Sequence, residues 1–287
     1  MAIRTILAGA SGGSANHGAV ELACRLAARF GAHLEAMHVR LDVEQLMLAA
    51  GGAGGMMPLD NGWIDHITAS AAAMADRTKA ALIEAAARHG LPLVDAATPG
   101  KPSASWHEET GDAPVFLARR ARFFDLVVLG RSERVVEEPH TDTVEQALIQ
   151  SGRPVLLAPT EPPSVLGTSI AVGWNGSAQA VRATTAAIPF LAEANAVTIV
   201  TIDNRHEESA DALKVYLGMH GVAAKVHRFL PVPGVGAGGQ LLSAAREEGA
   251  DLLVMGGYGH APWQEALFGG ATRAIVGASL LPLLMTH

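Results

Sequence analysis

Asp251-Leu252-Leu253-Val254-Met255-Gly256-Gly257-Tyr258-Gly259-His260 runs from an apolar segment straight into spaced glycines. Nine residues separate Gly259 from the next cluster, Gly269-Gly270-Ala271-Thr272. A short apolar run bounded in this way reads as a buried strand. A strand that ends in glycines and leads into a helix can cradle phosphate. Glycine lets backbone N–H groups approach the anion, and the helix N-terminus adds a favourable dipole. The spacing, Gly-x2-Gly-x9-Gly, differs from that of a P-loop and from that of a dinucleotide fold.

The same pattern begins elsewhere in the chain. Asp125-Leu126-Val127-Val128-Leu129-Gly130 parallels the strand at Asp251, and Ile6-Leu7-Ala8-Gly9-Ala10-Ser11-Gly12-Gly13 parallels Ile170-Ala171-Val172-Gly173-Trp174-Asn175-Gly176-Ser177. Each of these last two breaks into a small polar turn and then a helical stretch. A second strand follows each, His33–Val39 in one case and Val197–Ile202 in the other. Proline-led strands close both units, Pro154–Pro159 and Pro282–Met285. Strands alternating with helices predict parallel βαβ units. Each half reads as five strands with four helices.

The halves divide at the polar, Pro-containing linker Thr160–Ser164. This predicts one domain over 1–160 and a second over 165–287. The first strands lie 164 residues apart and the fourth strands 126, so the first half is longer by about 38 residues. Much of the excess falls between Arg40 and Ile67, including the glycine-rich run Ala49–Pro58. An Ala-rich helix is expected from Asp65 to Arg88.

Of the 287 residues, 49% are apolar and 5% aromatic, so the core must be built from Ala, Val, Leu and Ile. That suits a parallel sheet covered by Ala-rich helices. Net charge is −7 and no basic block occurs, which argues against nucleic-acid partners. No apolar run is long enough to span a bilayer. The start, Met1–Thr5, moves straight into a strand without a signal-like apolar region, so a cytoplasmic setting is expected. The single cysteine, Cys24, sits in an Ala/Leu-rich helical stretch and reads as a core residue.

Tandem α/β units carrying Gly256-x2-Gly259-x9-Gly269 resemble the universal stress protein family over essentially the whole chain. The resemblance implies two open, five-stranded, Rossmann-like parallel sheets. It also implies that ATP, with Mg²⁺, binds at the carboxyl ends of the strands, as open α/β sheets generally bind ligands. On this resemblance Met255 and Gly256 lie near ribose and phosphates, and Gly259 and Gly269 are the phosphate-loop glycines. Gly270 and Ala271 offer backbone N–H groups and Thr272 a hydroxyl. Gly173 and Asn175 lie beside base and ribose, and Thr201 contacts adenine. Two positions depart from the family pattern. Gly270 stands where the signature has Ser or Thr, and Asn175 replaces an aspartate, although an amide still hydrogen-bonds. In the first half Arg131-Ser132-Glu133-Arg134 follows Gly130, and Glu137-Glu138 would repel phosphate, so that half reads as degenerate.

Other constellations carry less. No His or Cys spacing typical of a metal site is present, and no catalytic residue is assigned. Asp125 and Asp251 just precede strands, at the edge opposite the expected site. Trp174 either covers an adenine or fills the interface between halves. The resemblance further implies that the final strands pair, making the chain an intramolecular pseudo-dimer and leaving a homodimer open. The functional reading is a stress-response protein that binds an adenine nucleotide and is read by a protein partner. A nucleotide-independent interaction protein and a weak ATPase are the alternatives.

Overall fold

Strand β1 (Thr5–Gly9) opens the chain, followed by α1 (Ser14–Phe30), β2 (His33–Arg40), α2 (Asn61–Arg88), β3 (Ser103–Thr110), α3 (Ala113–Ala121), β4 (Leu126–Gly130), α4 (His140–Ser151) and β5 (Val155–Ala158). The second half repeats the order with β6 (Ser169–Gly173), α5 (Ala178–Leu191), β7 (Ala196–Thr201), α6 (Glu207–Met219), β8 (Ala224–Arg228), α7 (Ala237–Glu247), β9 (Leu252–Gly256) and β10 (Leu283–Thr286). The structure, a computed structural model, describes residues 2–11, 14–42, 61–131, 140–161, 163–202, 207–257, 279 and 281–287. The glycine-rich run Ala49–Pro58 and the segment expected to carry the last helix lie outside the described residues.

The ten strands of the described residues form one sheet, in the order β3-β2-β1-β4-β5-β10-β9-β6-β7-β8. Each half is therefore an open parallel sheet in which the first strand lies between the second and the fourth. The two-faced apolar runs explain this. The residues of β4, β5, β9 and β10 are buried almost throughout, as strands covered on both faces must be. One core layer packs β residues such as Ile6, Val128, Ile170 and Val254 against α1, α2, α5 and α6. The other packs Leu7, Leu129, Val200 and Met255 against α3, α4 and α7. Cys24 is fully buried in the first layer, and burial pushes its thiol up to about 12, as an inert core residue requires.

The halves meet at β5 and β10, which pair antiparallel through Leu157 with Leu283, Leu156 with Leu284 and Val155 with Met285. The pairing of the two proline-led strands removes two exposed sheet edges. Phe30 and Phe190 reinforce the seam edge to face, with centroids 5.0 Å apart. Arg29 lies beside both rings and binds Glu193 at 2.7 Å. Its Nη1 also donates to the Leu166 carbonyl, and Arg25 donates to the carbonyls of Pro163 and Ser164. The connection between the halves is thus clasped along α1.

One helix start differs from the sequence reading. The sequence reading starts α2 at about Asp65, and Gly62, a weak helix former, lies ahead of that point. The helix instead begins at Asn61 and runs through that glycine. The chain leaves α4 at Gly152 with φ +68, a left-handed stop that glycine adopts without strain.

Candidate functional site

The carboxyl edge of the second half is built where β6 ends between β7 and β9. The chain leaves β6 through Trp174, Asn175 and Gly176, the last at φ +71. Asn175 Oδ1 accepts from the Ser177 N–H at 3.1 Å and from its hydroxyl at 2.7 Å. The Ser177 hydroxyl in turn accepts from the Ala180 N–H at 3.2 Å and so caps α5. The carbonyl oxygen of the Asn175 amide is therefore committed to the turn. What this exposed side chain can offer a ligand is its NH₂.

Gly256 ends β9 under the first turn of α5. A Cβ at this position would lie 2.7 Å from both the Ala180 nitrogen and Gln179 Cβ. The absence of a side chain lets the helix settle on the strand end. The Thr286 hydroxyl holds that turn by donating to the Gln179 carbonyl, while the Thr286 carbonyl accepts from the Gly257 N–H. A Cβ at Gly173 would meet only the Leu241 side chain, at 2.7 Å. Met255 is buried on the face covered by α7.

Thr201 closes β7 and is fully buried, and its hydroxyl has no hydrogen-bond partner among the described residues. The Trp174 N–H donates to the Val200 carbonyl, which sets Trp174 directly across from Thr201. The indole Nε1 donates to Ser209 Oγ at 3.0 Å in the first turn of α6. Trp174 thus belongs to the second half's own carboxyl edge and does not fill the interface between halves. Positive charge reaches this edge at Arg182, whose Nε donates to the His287 carbonyl.

The structure brings Gly173, Asn175, Thr201, Met255 and Gly256 to one sheet edge. Gly259, Gly269, Gly270, Ala271 and Thr272 lie outside the described residues.

The first half is built differently at the same places. The Ala10 N–H donates to the Met37 carbonyl, so Ala10 and His38 stand where the second half has Trp174 and Thr201. His38 is buried, its Nδ1 lies 2.5 Å from the Ala10 carbonyl, and its ring stacks on Trp106 at 5.8 Å. Trp106 Nε1 donates to Glu108, which also pairs with Arg40. Burial pushes the Glu108 carboxyl up, but those two hydrogen bonds outweigh it and hold the group below the usual carboxylate range. The large aromatic residue therefore comes from β3 in one half and from the β6 turn in the other. The sequence reading did not single out His38–Trp106 or Ser209. The repeat alignment carried the signal, because Ala10 and Trp174 occupy equivalent positions.

The two aspartates lie at the opposite, amino edge. Asp125 Oδ2 accepts from the N–H groups of Arg4 and Thr5 and from the Thr5 hydroxyl. Asp251 accepts from the N–H groups of Gly167, Thr168 and Ser169. Each fastens the entry of its half's first strand to the fourth. Among the described residues no three His, Cys, Asp or Glu side chains gather as a metal site would require, and no helix is long and apolar enough to cross a membrane.

The sheet order and repeated edges define a tandem α/β protein with the fold of the universal stress proteins. One similar structure is a universal stress protein from Archaeoglobus fulgidus DSM 4304, at TM-score 0.70 and 14% identity, matching 98% of this chain and 95% of that one. A functionally unknown protein from Pseudomonas aeruginosa PAO1 matches 99% and 92% of the two chains, at TM-score 0.57 and 15% identity. No protein-family model matches the sequence, and no curated protein matches it.

Proposed function

We propose that this chain is a cytoplasmic stress-response protein whose second half, over 165–287, binds an adenine nucleotide, ATP with Mg²⁺. The first half, over 1–160, serves as its structural partner. One observation carries the reading: the Thr201 hydroxyl is buried and unpartnered among the described residues, at the carboxyl edge where open α/β sheets take their ligands. Leaving such a group unsatisfied costs about 1–3 kcal/mol, and a polar atom of a ligand base would remove that cost. The Asn175 NH₂ suits a ribose hydroxyl, and Arg182 supplies charge toward the phosphates. Gly259, Gly269, Gly270, Ala271 and Thr272 would provide the phosphate loop. Mg²⁺ would offset the phosphate charge, while this chain's residues would hold and orient the nucleotide. Occupancy would stabilise the segment after Gly256 and change the surface that a protein partner reads.

Isothermal titration calorimetry and thermal unfolding with millimolar ATP–Mg²⁺ test the proposal. A binding isotherm and a raised Tm are expected, both lost in Gly259→Asp, because the carboxylate intrudes on the phosphate path. No heat and no Tm shift would refute nucleotide binding.

A second reading, a nucleotide-independent interaction protein, is favoured by Gly256. Its missing side chain is already explained by the α5 turn packed on it. Partner capture unchanged by Gly259→Asp would support that reading. Steady phosphate release above the blank, lost in the same variant, would be needed to support a weak ATPase.

A further inference from the structure

Arg131 is the residue after β4, and its N–H donates to the Ala158 carbonyl at the end of β5. Gly257 holds the same place after β9, and its N–H makes the same kind of bond to the Thr286 carbonyl. The fold therefore needs only a backbone N–H here, and glycine suffices. The arginine side chain does something the fold does not require.

That side chain reaches into the other half, where Nη2 donates to the Leu281 carbonyl at 3.3 Å. The same carbonyl accepts from Ser279 Oγ at 3.0 Å, and Ser279 is fully buried. Arg131 Nε is enclosed and has no partner among the described residues. Burial pushes the guanidinium below its usual pKa, and no acidic group among the described residues offsets that. Arg29 and Arg120 differ, since each pairs with a glutamate. A guanidinium has five N–H donors, and among the described residues the only acceptor this side chain meets is one neutral carbonyl, at a long distance. A partly buried cation with no anion among the described residues is costly, and its planar fork matches an oxyanion through two parallel bonds.

We propose that Arg131 of the first half and Ser279 of the second form a binding position for a phosphate-type oxyanion at the seam. Arg131 supplies charge and the fork. The Ser279 hydroxyl turns from the Leu281 carbonyl to donate to the anion. Because each half contributes a donor, occupancy clamps the halves together.

Thermal unfolding of the full chain with millimolar inorganic phosphate tests this, against potassium chloride of equal ionic strength. The wild type should gain Tm in phosphate and Arg131→Met should not. Without phosphate, Arg131→Met should melt no lower than the wild type, because the enclosed Nε is gone. A phosphate response equal to that in potassium chloride, or one that survives Arg131→Met, would overturn the proposal. If Arg131→Met does not fold, the ³¹P linewidth of phosphate mixed with wild-type protein decides the matter. Broadening that Arg131→Lys reduces supports the site, and an unbroadened line rejects it. ATP–Mg²⁺ added to phosphate-saturated protein separates this position from the nucleotide site. A further Tm gain means two sites, whereas displacement of the phosphate signal by ATP argues against an independent anion position.

Discussion

Both carboxylate oxygens of Asp251 accept from the backbone N–H of Thr168, at 3.1 and 2.9 Å. With the bonds from Gly167 and Ser169, one side chain satisfies three consecutive donors at the entry to β6. Hydrogen bonds to a charged group contribute about 1.5–3 kcal/mol each, and they are not additive. Asp251→Ala is expected to lower stability by about 2–4 kcal/mol in urea unfolding. Asp251→Asn should cost less. Ligand affinity of the folded fraction should be unchanged, because this edge is opposite the candidate site.

Gly256→Ala and Gly173→Ala should separate. The new Cβ at 256 meets helix backbone, which cannot move without displacing α5, so about 1–3 kcal/mol of destabilisation is expected. At 173 the obstacle is the flexible end of Leu241, and the loss should be smaller. Paired chemical denaturation curves would show the difference.

Thr201→Val replaces an unpartnered hydroxyl with a methyl of similar shape. Ligand-free stability should be kept or should rise by up to about 1 kcal/mol, since removing an unsatisfied group relieves its desolvation cost. The Tm gain in ATP–Mg²⁺ should shrink. A loss of ligand-free stability would mean that the hydroxyl has a partner in the native state.

Glu248 is held at about 2, against an ordinary 4.5, by hydrogen bonds from Lys225, His227 and Thr198 that outweigh its burial. Because the folded value is the lower one, its contribution is full above about 4.5 and is lost as pH falls toward 2. In Glu248→Gln this part of the acid destabilisation should disappear, while stability near neutral pH falls. Denaturation midpoints between these pH values check the sign.

The fold was legible because β1 and β6, and β4 and β9, repeat one apolar pattern, and burial on both faces leaves such runs little choice but a covered parallel sheet. The final strands were legible from their leading prolines, Pro154 and Pro282. The candidate edge was legible at Gly173, Asn175, Thr201, Met255 and Gly256, since strand ends follow from strand positions. What those residues touch was not. The Gly256 void is filled by a helix whose approach depends on tertiary packing. The Trp174–Ser209 and Ala10–His38 contacts join residues 35 and 28 positions apart, beyond any local periodicity. Asp125 and Asp251 were placed at the correct edge, but their backbone partners lie 120 and 83 residues away for Thr5 and Thr168.

The antiparallel register of β5 and β10 also fixes how the protein meets its surroundings. Strands within each half are parallel, so reversing direction at the seam turns the two carboxyl edges to opposite sides of the molecule. Whatever approaches Thr201 arrives from the side away from His38. One chain therefore presents two unlike faces back to back. Because both halves spend their last strands on each other, a second copy would have to attach through some other surface.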